Sequence, residues 1–134
     1  MLEMIPLVVT NIQIVSQNSQ ERRDYPLEDS LVQDFRCKAE QHALEQFPKE
    51  ACGVLVNDLY HPCNNIADQS DQIFILDPKD YIRARAKGKI QAIIHSHPAG
   101  GGASPVDQMA CTQFKLPWHI YLIPEDEWIT IFPS

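Results

Sequence analysis

The sequence is short of positive charge, with 11 Lys and Arg against 18 Asp and Glu and a formal net charge of −7. This balance repels a phosphate backbone, because nucleic-acid binding depends on counterion release by Lys and Arg. We therefore expect no nucleic-acid partner. Long apolar runs are also missing: Ile5–Val9 and Ile90–Ile94 fall far below the roughly 20 residues of a membrane-spanning helix. No membrane span is predicted.

Cysteine is sparse, and its spacing forms no C-x-x-C pair. The four residues are Cys37, Cys52, Cys63 and Cys111. Their spacing matches neither a zinc ribbon nor a disulfide-rich secreted domain. The N-terminus MLEMIPLVV has no basic region and no small-residue cleavage site after it, so no secretory signal is predicted. We expect buried, reduced thiols in a cytoplasmic protein.

The length of 134 residues indicates one domain, residues 1–134. Hydrophobic residues make up 44% and charged residues 22%, which are values of a globular protein and exclude disordered and fibrous classes. A chain of this size buries about two-thirds of its surface on folding and needs no structural metal. Any metal site is therefore expected to serve function.

Apolar periodicity and capping residues predict three helices. In the first, apolar side chains recur every four residues until Pro48 ends the pattern. Asp77 and Ser104 each precede a proline, which is typical of an N-cap followed by the first helical residue. The predicted helices cover Glu28–Phe47, with the apolar row Leu31, Phe35, Ala39, Ala43 and Phe47, then Pro78–Lys87 and Pro105 to about Phe114.

Runs of apolar and β-branched residues predict the strands, with Ser16–Asp24 as a loop. Because Lys89–Ile94 is nearly all apolar after its first residues, it is predicted to lie centrally and to be covered on both faces. The order of elements predicts an α+β or α/β fold, a mixed sheet with helices packed against it. The predicted strands are one strand or bent pair within Ile5–Val15, then Cys52–Val56, Leu59–Cys63, Ile73–Leu76, Lys89–Ile94, Trp118–Ile123 and Trp128–Phe132.

The sequence His95-Ser-His97-Pro98 follows the predicted central strand. Residues i and i+2 of a strand project to the same face, so both imidazoles can face one atom. Asp107 comes ten residues after His97, beyond a glycine loop, in the first turn of the third predicted helix. Two His and one Asp leave a fourth tetrahedral position open, as in catalytic zinc sites. We predict that His95, His97 and Asp107 bind Zn²⁺.

Two further side chains complete a hydrolytic set. Glu50 lies between the first helix and the strand Cys52–Val56, where it can approach the metal, and it is the candidate general base. The hydroxyl of Ser104 can donate to the oxyanion of a tetrahedral intermediate. Taken singly, Ser104 is an N-cap, Asp107 a capping-box acid and Glu50 a solvated loop charge. The conjunction of all the motifs favours metal chemistry.

Glu50, His95-Ser-His97-Pro98 and Ser104-x-x-Asp107 resemble the JAMM motif of the MPN/JAB metalloproteases, zinc enzymes that hydrolyse peptide and isopeptide bonds, including those to ubiquitin-like proteins. Over roughly residues 35–125 the sequence also resembles the N-terminal domain of tailed-phage tail assembly proteins of the lambda K type. The resemblance implies a mixed, curved sheet flanked by helices. It implies zinc ligands at His95, His97 and Asp107, with Glu50 as general acid/base and Ser104 as oxyanion stabiliser. The segments that carry the phage resemblance are Phe47–Gly53, Pro62–Ala67, Phe74–Asp80, Gly88–Ile90 and Leu116–Trp118.

The sequence departs from the family pattern in two ways. The spacing from His97 to Asp107 is ten residues, where the family usually has eleven, and the glycines of the loop are expected to absorb the difference. The lambda K type also carries a downstream NlpC-type cysteine peptidase domain, whereas this sequence ends at Ser134. The chain is thus expected to be either a stand-alone enzyme or a separated domain, and residues 1–27 are predicted to form a divergent N-terminal strand and loop.

These observations predict a zinc-dependent metallopeptidase or isopeptidase that acts on a protein or peptide substrate, ubiquitin-like proteins included. The alternative is a non-catalytic phage tail-assembly or scaffold module of the MPN fold. A third hypothesis is a bacterial enzyme that removes a ubiquitin-like protein within a conjugation or defence system.

Other residues that can carry chemistry are given structural roles. Cys52 lies two residues from Glu50 and could offer a thiolate to zinc, but a small buried residue is the favoured interpretation. Trp118 is predicted to belong to the core. The remaining histidines, His42, His61 and His119, are predicted to be structural or surface residues.

Overall fold

The computed structural model describes Leu7–Val8, Val15–Gln17 and residues 30–134. Every helix and strand named below lies within these ranges. In chain order they are β1 (Leu7–Val8), β2 (Val15–Gln17), α1 (Ser30–Gln46), β3 (Cys52–Val56), β4 (Leu59–Cys63), β5 (Ile73–Phe74), α2 (Pro78–Arg85), β6 (Ile90–His97), α3 (Pro105–Phe114), β7 (Trp118–Leu122) and β8 (Glu127–Ile131).

Six of the described strands form one mixed sheet in the order β2-β8-β7-β6-β3-β4, and β1 pairs with β5. Neighbouring strands of the sheet run antiparallel except β6 and β7, which are parallel and are connected through α3. At the centre, His95 of β6 lies opposite Cys52 of β3 on one side and Ile120 of β7 on the other. This arrangement confirms the α+β prediction of a mixed sheet with helices packed against it.

Helix α1 covers one face of the sheet, here called the α1 face. Its buried side chains Phe35, Ala39 and Ala43 pack with Tyr121 and Trp128 of the sheet. The four-residue spacing of these apolar positions is the reason why this surface of the helix is buried.

The opposite face of the sheet is covered by α2 and α3 and is here called the α3 face. Ala84 of α2 and Cys111 of α3 pack there with Ile93 and Trp118 of the sheet. Trp118 is fully buried, which confirms its prediction as a core residue. Successive side chains of β6 project to opposite faces of the sheet. Ile94 therefore packs with the residues of the α1 face, while His95 contacts Trp118 on the α3 face.

Helices α2 and α3 begin where their capping residues predict. The Asp77 side chain caps α2, and Ser104 and Asp107 form the reciprocal capping box of α3. Helix α1 ends at Gln46, one residue before its predicted end. Phe47 therefore leaves the buried row and is 53% exposed, which corrects its assignment to that row.

β5 and β6 differ from their predicted ends by two or three residues, whereas β7 and β8 differ by one. β6 extends to His97 rather than ending at Ile94, because the chain stays paired with β7 as far as Leu122. β5 ends at Phe74 rather than Leu76, since the N–H of Ile75 donates to the side chain of Asn65 instead of to a strand.

The N-terminal predictions are only partly covered by the described residues. Ser16 and Gln17, predicted to lie in a loop, belong to β2 and pair with β8. The remainder of the predicted strand within Ile5–Val15, apart from Leu7–Val8 and Val15, lies outside the described residues, as does the rest of the predicted loop. In the described part of the chain, no helix has both the length and the apolar character needed to cross a membrane.

The cysteine prediction is confirmed at three positions and wrong at one. Cys52, Cys63 and Cys111 are buried free thiols, whereas Cys37 is free and exposed on α1. Cys37 lies outside the four-residue apolar row through which α1 contacts the sheet.

Candidate metal centre

His95 and His97 lie at the carboxyl end of β6 and project to the α3 face. Both are buried, with exposed fractions of 1% and 4%. The ring of Phe74 stacks on His95 at a centroid distance of 4.4 Å, and Trp118 meets the same ring edge-on at 5.2 Å. The rings of the two histidines are 5.1 Å apart, so the i, i+2 spacing brings both imidazoles to one place as predicted.

A glycine loop returns the chain from His97 to the start of α3. Its turn requires positive φ at Gly100 and Gly101, 78° and 92°. The N–H of Gly100 donates to the His97 carbonyl at 3.1 Å, and the N–H of Gly101 donates to Glu125 Oε2 at 3.3 Å. A Cβ atom at Gly100 would lie 2.5 Å from Glu125 Oε1, but this is the end of an exposed, flexible side chain that can move aside, so it is the positive φ that favours glycine here.

The loop brings Asp107 to the two histidines despite the ten-residue spacing. One ligand atom from each of His95, His97 and Asp107 lies within 4.8 Å of the other two, and the group could hold a metal ion. Asp107 Oδ2 lies 3.7 Å from His97 Nε2 and accepts the N–H of Ser104 at 2.9 Å. The capping box therefore fixes the carboxylate while its Oδ1 atom remains without a hydrogen-bond partner.

Glu50 lies beside this group, as predicted, and is only 3% exposed. Its Oε1 atom is 3.7 Å from His95 Nδ1 and has no hydrogen-bond partner. The neighbouring Ala51 is held by Ser96, whose Oγ accepts the Ala51 N–H at 2.9 Å. The interpretation of Glu50 as a solvated loop charge is thus wrong.

Burial determines the charge states in this group. It lowers the pKa of His97 to about 4 and that of His95 well below its usual value, so both imidazoles are neutral. It raises the pKa of Asp107 to about 7. Burial, followed by the nearby carboxylates of Asp107 and Asp71, raises the pKa of Glu50 to about 9. Neutral imidazoles are the protonation state that metal binding requires.

Several polar atoms in this group are buried without a hydrogen-bond partner, which normally costs about 1–3 kcal/mol for each group. A neutral ring nitrogen and a carboxylate oxygen at 3.7 Å are too far apart for a hydrogen bond, and a divalent cation satisfies both. Imidazole nitrogen and carboxylate oxygen are donors that suit zinc. The residues present therefore fit a zinc ion. The unpartnered atoms are Glu50 Oε1, His95 Nδ1 and Nε2, His97 Nε2 and Asp107 Oδ1.

Ser104 is buried at the start of α3, next to the candidate ligands. Its Oγ atom accepts the N–H of Asp107 at 3.0 Å, which confirms its role as N-cap. The same position places the hydroxyl beside Asp107, and its assignment as oxyanion donor stays a prediction.

The polar side-chain atoms of Cys52, His42 and His119 make their contacts with residues other than the candidate ligands. Cys52 is fully buried and its thiol donates to the Cys63 carbonyl at 3.7 Å, while burial raises its pKa well above the usual value. His42 Nδ1 lies 2.6 Å from the Tyr60 hydroxyl. His119 Nδ1 lies 2.9 Å from Thr130 Oγ1. These contacts confirm a small buried role for Cys52 and structural roles for the two histidines.

Two residues that hold the site were missed in the sequence. Ser96 lies between the two histidines in the sequence. The alternation of side chains along a strand is the signal that would have assigned its side chain to the face opposite the histidines. Asn65 donates to the backbone carbonyl of Glu50 at 3.0 Å. It lies in a segment without periodicity, and no local signal distinguishes it from Asn64.

The chain is similar in sequence to a phage protein, although no protein-family profile matches it. It is 39% identical over 97 residues to the tail tip assembly protein K of Escherichia phage N15, and this alignment covers 69% of the chain and 40% of that protein. The chain therefore spans less than half the length of this relative. The similarity supports a relationship to phage tail-assembly proteins.

A solved structure has a similar fold. The solution structure of the protein DSY2949 from Desulfitobacterium hafniense superimposes with a TM-score of 0.57 and covers 69% of this chain and 75% of that one. Its sequence identity to the chain is 24%, so the likeness concerns the fold alone.

Proposed function

We propose that the chain acts in phage tail assembly and contains a zinc-dependent hydrolytic centre that cleaves a peptide or isopeptide bond in a protein substrate. The similarity to a tail tip assembly protein supports the first part. The observation that carries the second part is the group of buried, unpartnered donor atoms on Glu50, His95, His97 and Asp107. Perturbed titratable groups of this kind concentrate at functional sites.

In this proposal His95, His97 and Asp107 hold the ion. When bound, zinc polarises a carbonyl as a Lewis acid and lowers the pKa of a coordinated water toward neutrality. Phe74 and Trp118 pack on the His95 ring and keep bulk water from that side. These two aromatic rings thereby form an apolar surface that holds the His95 imidazole in one orientation.

Glu50 is the general acid/base in this mechanism. A bound cation would lower the pKa of Glu50 from about 9, so that the ionised Oε1 atom accepts a proton from the attacking water and then returns it to the leaving amine. Among the residues that the structure describes, no other carboxylate near the group is as suitable, because Asp107 is engaged by the Ser104 N–H and Asp71 is exposed. The Ser104 hydroxyl donates to the oxyanion that forms on the attacked carbonyl.

Metal content tests the zinc site directly. Wild type and His97→Ala are purified side by side without added metal, and zinc per chain is measured by elemental analysis. We expect near-stoichiometric zinc in wild type and its loss in His97→Ala. His61→Ala is a matched control, because His61 lies on the edge strand β4, away from this group. Absence of zinc in wild type, including after dialysis against Zn²⁺, would contradict the site.

Hydrolysis is tested with ubiquitin-like fusion proteins and with peptides. Wild type is compared with Glu50→Gln and with Glu45→Gln, a control on the exposed surface of α1. We expect Glu50→Gln to lose about 100-fold or more of the activity, because a general acid/base contributes about 10²–10⁴-fold. Equal activity of Glu50→Gln and wild type would contradict the role of Glu50.

A non-catalytic tail-assembly role is the second candidate, and the phage relative favours it because its name gives assembly and no hydrolysis. The discriminating experiment replaces the matched segment of protein K in phage N15 with this chain. If wild type supports infectious particles and Glu50→Gln does not, hydrolysis is required for assembly. If both support assembly equally, the non-catalytic role is correct.

A further inference from the structure

Both backbone polar groups of Glu50 are held by the loop that follows β4. The N–H of Glu50 donates to the Ser70 carbonyl at 2.6 Å. The carbonyl of Glu50 accepts a hydrogen bond from Asn65 Nδ2 at 3.0 Å. Because the Glu50 carboxyl group has an unpartnered Oε1 atom, the position of the side chain depends on how firmly the backbone is held.

The Asn65 side chain connects five backbone groups of its surroundings. Its amide group has two hydrogens to donate, and its oxygen has two lone pairs to accept. All of this capacity is used, so one side chain fixes both the loop and its attachment to Glu50. The two hydrogens of Nδ2 are shared among three carbonyls, those of Glu50 at 3.0 Å, Ile73 at 3.1 Å and, at the longer distance of 3.4 Å, Ser70, and the Oδ1 atom accepts from the N–H groups of Ala67 and Ile75, both at 3.0 Å.

A second anchor lies on the other side of Glu50. The N–H of Ser96 donates to the Ala51 carbonyl at 2.9 Å, and Ser96 Oγ accepts the Ala51 N–H at 2.9 Å. This anchor belongs to β6, the strand that carries His95 and His97. Asn65 therefore joins the loop to the backbone of Glu50 on one side, while the metal-ligand strand holds the next residue on the other.

We infer that Asn65 is a positioning residue for Glu50, which keeps the carboxyl group beside His95 by holding the Glu50 carbonyl. This inference rests on the proposed function of Glu50. Displacement of a reacting group by about 1 Å can lower the rate about 100-fold. Asn65 is thus expected to influence proton transfer without contacting the metal or the substrate.

The first test uses the wild-type protein and needs no variant. Hydrogen exchange of the two side-chain amides, Asn65 and Asn64, is measured by NMR. Asn64 is the matched comparison, because it is exposed and its described hydrogen bonds all involve its backbone. We expect the Asn65 amide protons to exchange about 10-fold or more slowly than those of Asn64. Equal exchange rates would overturn the inference.

The second test compares Asn65→Ser with the control Asn64→Ser. Zinc content is expected to equal that of wild type in both, since neither residue is a candidate ligand. In Asn65→Ser we expect faster exchange of the Glu50 N–H, because its acceptor, the Ser70 carbonyl, lies in the loop that Asn65 fixes, and a smaller change at the Ala51 N–H, which Ser96 Oγ still holds. Unchanged exchange at Glu50 would overturn the inference even if the protein proves to have no hydrolytic activity.

The third test asks whether Asn65 acts through Glu50. On the substrate cleaved by wild type, we expect Asn65→Ser to lower kcat about 10- to 100-fold with little change in KM. In the Glu50→Gln background the same substitution should have no further effect. An equal loss in both backgrounds would show that Asn65 acts independently of Glu50 and would overturn the inference. If Asn65→Ser fails to fold, the wild-type exchange measurement still decides between the outcomes.

Discussion

Both faces of the sheet bury polar side chains, but they differ in whether the polar atoms of those side chains have hydrogen-bond partners. On the α1 face, five hydrogen bonds among the described residues satisfy polar side chains that are buried or partly buried. On the α3 face, the buried atoms of Glu50, His95, His97 and Asp107 face one another without hydrogen bonds. The partnered contacts of the α1 face are Ser96 Oγ with the Ala51 N–H, His42 with Tyr60, His119 with Thr130, Tyr121 with Asp126 and Trp128 with Glu40.

The difference shows that burial alone does not identify a functional site. Ser96 and His95 are adjacent on one strand, with exposed fractions of 2% and 1%, yet only Ser96 has its polar side-chain atom satisfied. An unpartnered buried group lowers the free energy of unfolding. A fold keeps several such groups together where their chemistry is needed, and metal binding would remove the cost on the α3 face.

Removing a large partnered side chain from the α1 face should have the largest effect on stability. Trp128 is 1% exposed, packs against Tyr121 at a centroid distance of 5.2 Å, and donates to Glu40 at 2.7 Å. We expect Trp128→Ala to lower the free energy of unfolding by about 3–5 kcal/mol in urea titrations. Trp128→Phe, which keeps most of the packing, should lose much less. Equal losses would mean that the hydrogen bond, not packing, dominates this face.

The α1 face should also make stability depend on pH through His119. Burial, followed by the positive charge of Arg36, lowers the pKa of His119 to about 4 from its usual value of 6.5. The unfolded state then binds a proton at a higher pH than the folded state. Above pH 6.5, His119 is neutral in both states and the free energy of unfolding does not depend on it. As the pH falls from 6.5 toward 4, the free energy of unfolding decreases by about 3 kcal/mol in total because of this histidine.

The measurement compares urea unfolding of wild type and His119→Gln between about pH 7 and pH 4, the range over which this histidine takes up its proton. The difference between the two proteins isolates His119, because the other groups titrate in both. We expect the free energy of unfolding of His119→Gln to increase relative to that of wild type as the pH falls. A constant difference across this range would contradict the prediction.

Much of the candidate site follows from local sequence rules. Alternation along a strand places His95 and His97 on one face, and the Ser104 capping box places Asp107 at a defined point of α3. The hydrogen bonds of Asn65 and Ser96 could not be predicted in this way. They join residues 15 and 45 positions apart, and such pairings depend on how β3 is placed beside β6 and the loop.

Two predictions about the ends of elements were wrong for a related physical reason. Ile75 continues the apolar run of β5 in the sequence, but its N–H is taken by a side chain distant from the strand. Phe47 continues the apolar row of α1, but the helix ends before reaching it. In both cases a tertiary contact or a helix terminus overrides a periodic pattern that is valid for the rest of the element.

Zinc should stabilise the protein through the α3 face alone. A ligand that binds only the folded state adds about 2.7 kcal/mol at a free concentration about 100-fold above its Kd. We expect added Zn²⁺ to raise the Tm of wild type after chelation, measured by calorimetry, and to leave His97→Ala unchanged. An equal rise in both proteins would place the stabilising zinc elsewhere.

The smallest effect is expected where a charge is removed from the α3 face in the absence of metal. In Asp107→Asn, the amide oxygen can still accept the Ser104 N–H, so the cap of α3 is kept. Removing the carboxylate loses a favourable interaction with the helix N-terminus. It also removes the free-energy cost of burying a charged group, the same cost that raises the pKa of Asp107 to about 7. These effects oppose each other, and we expect the free energy of unfolding of the chelated protein to change by less than about 1 kcal/mol.

The matched control is Asp126→Asn, in which the carboxyl group that accepts from the Tyr121 hydroxyl at 2.6 Å is replaced on the α1 face. Asp126 has a positive φ of 55°, a conformation that asparagine adopts readily, so the backbone is not strained by the change. With zinc present, only Asp107→Asn should lose the stabilisation that the metal provides. If Asp107→Asn destabilised the chelated protein by several kcal/mol, the carboxylate would be a structural group of α3, and the contrast between the two faces would not reflect metal binding.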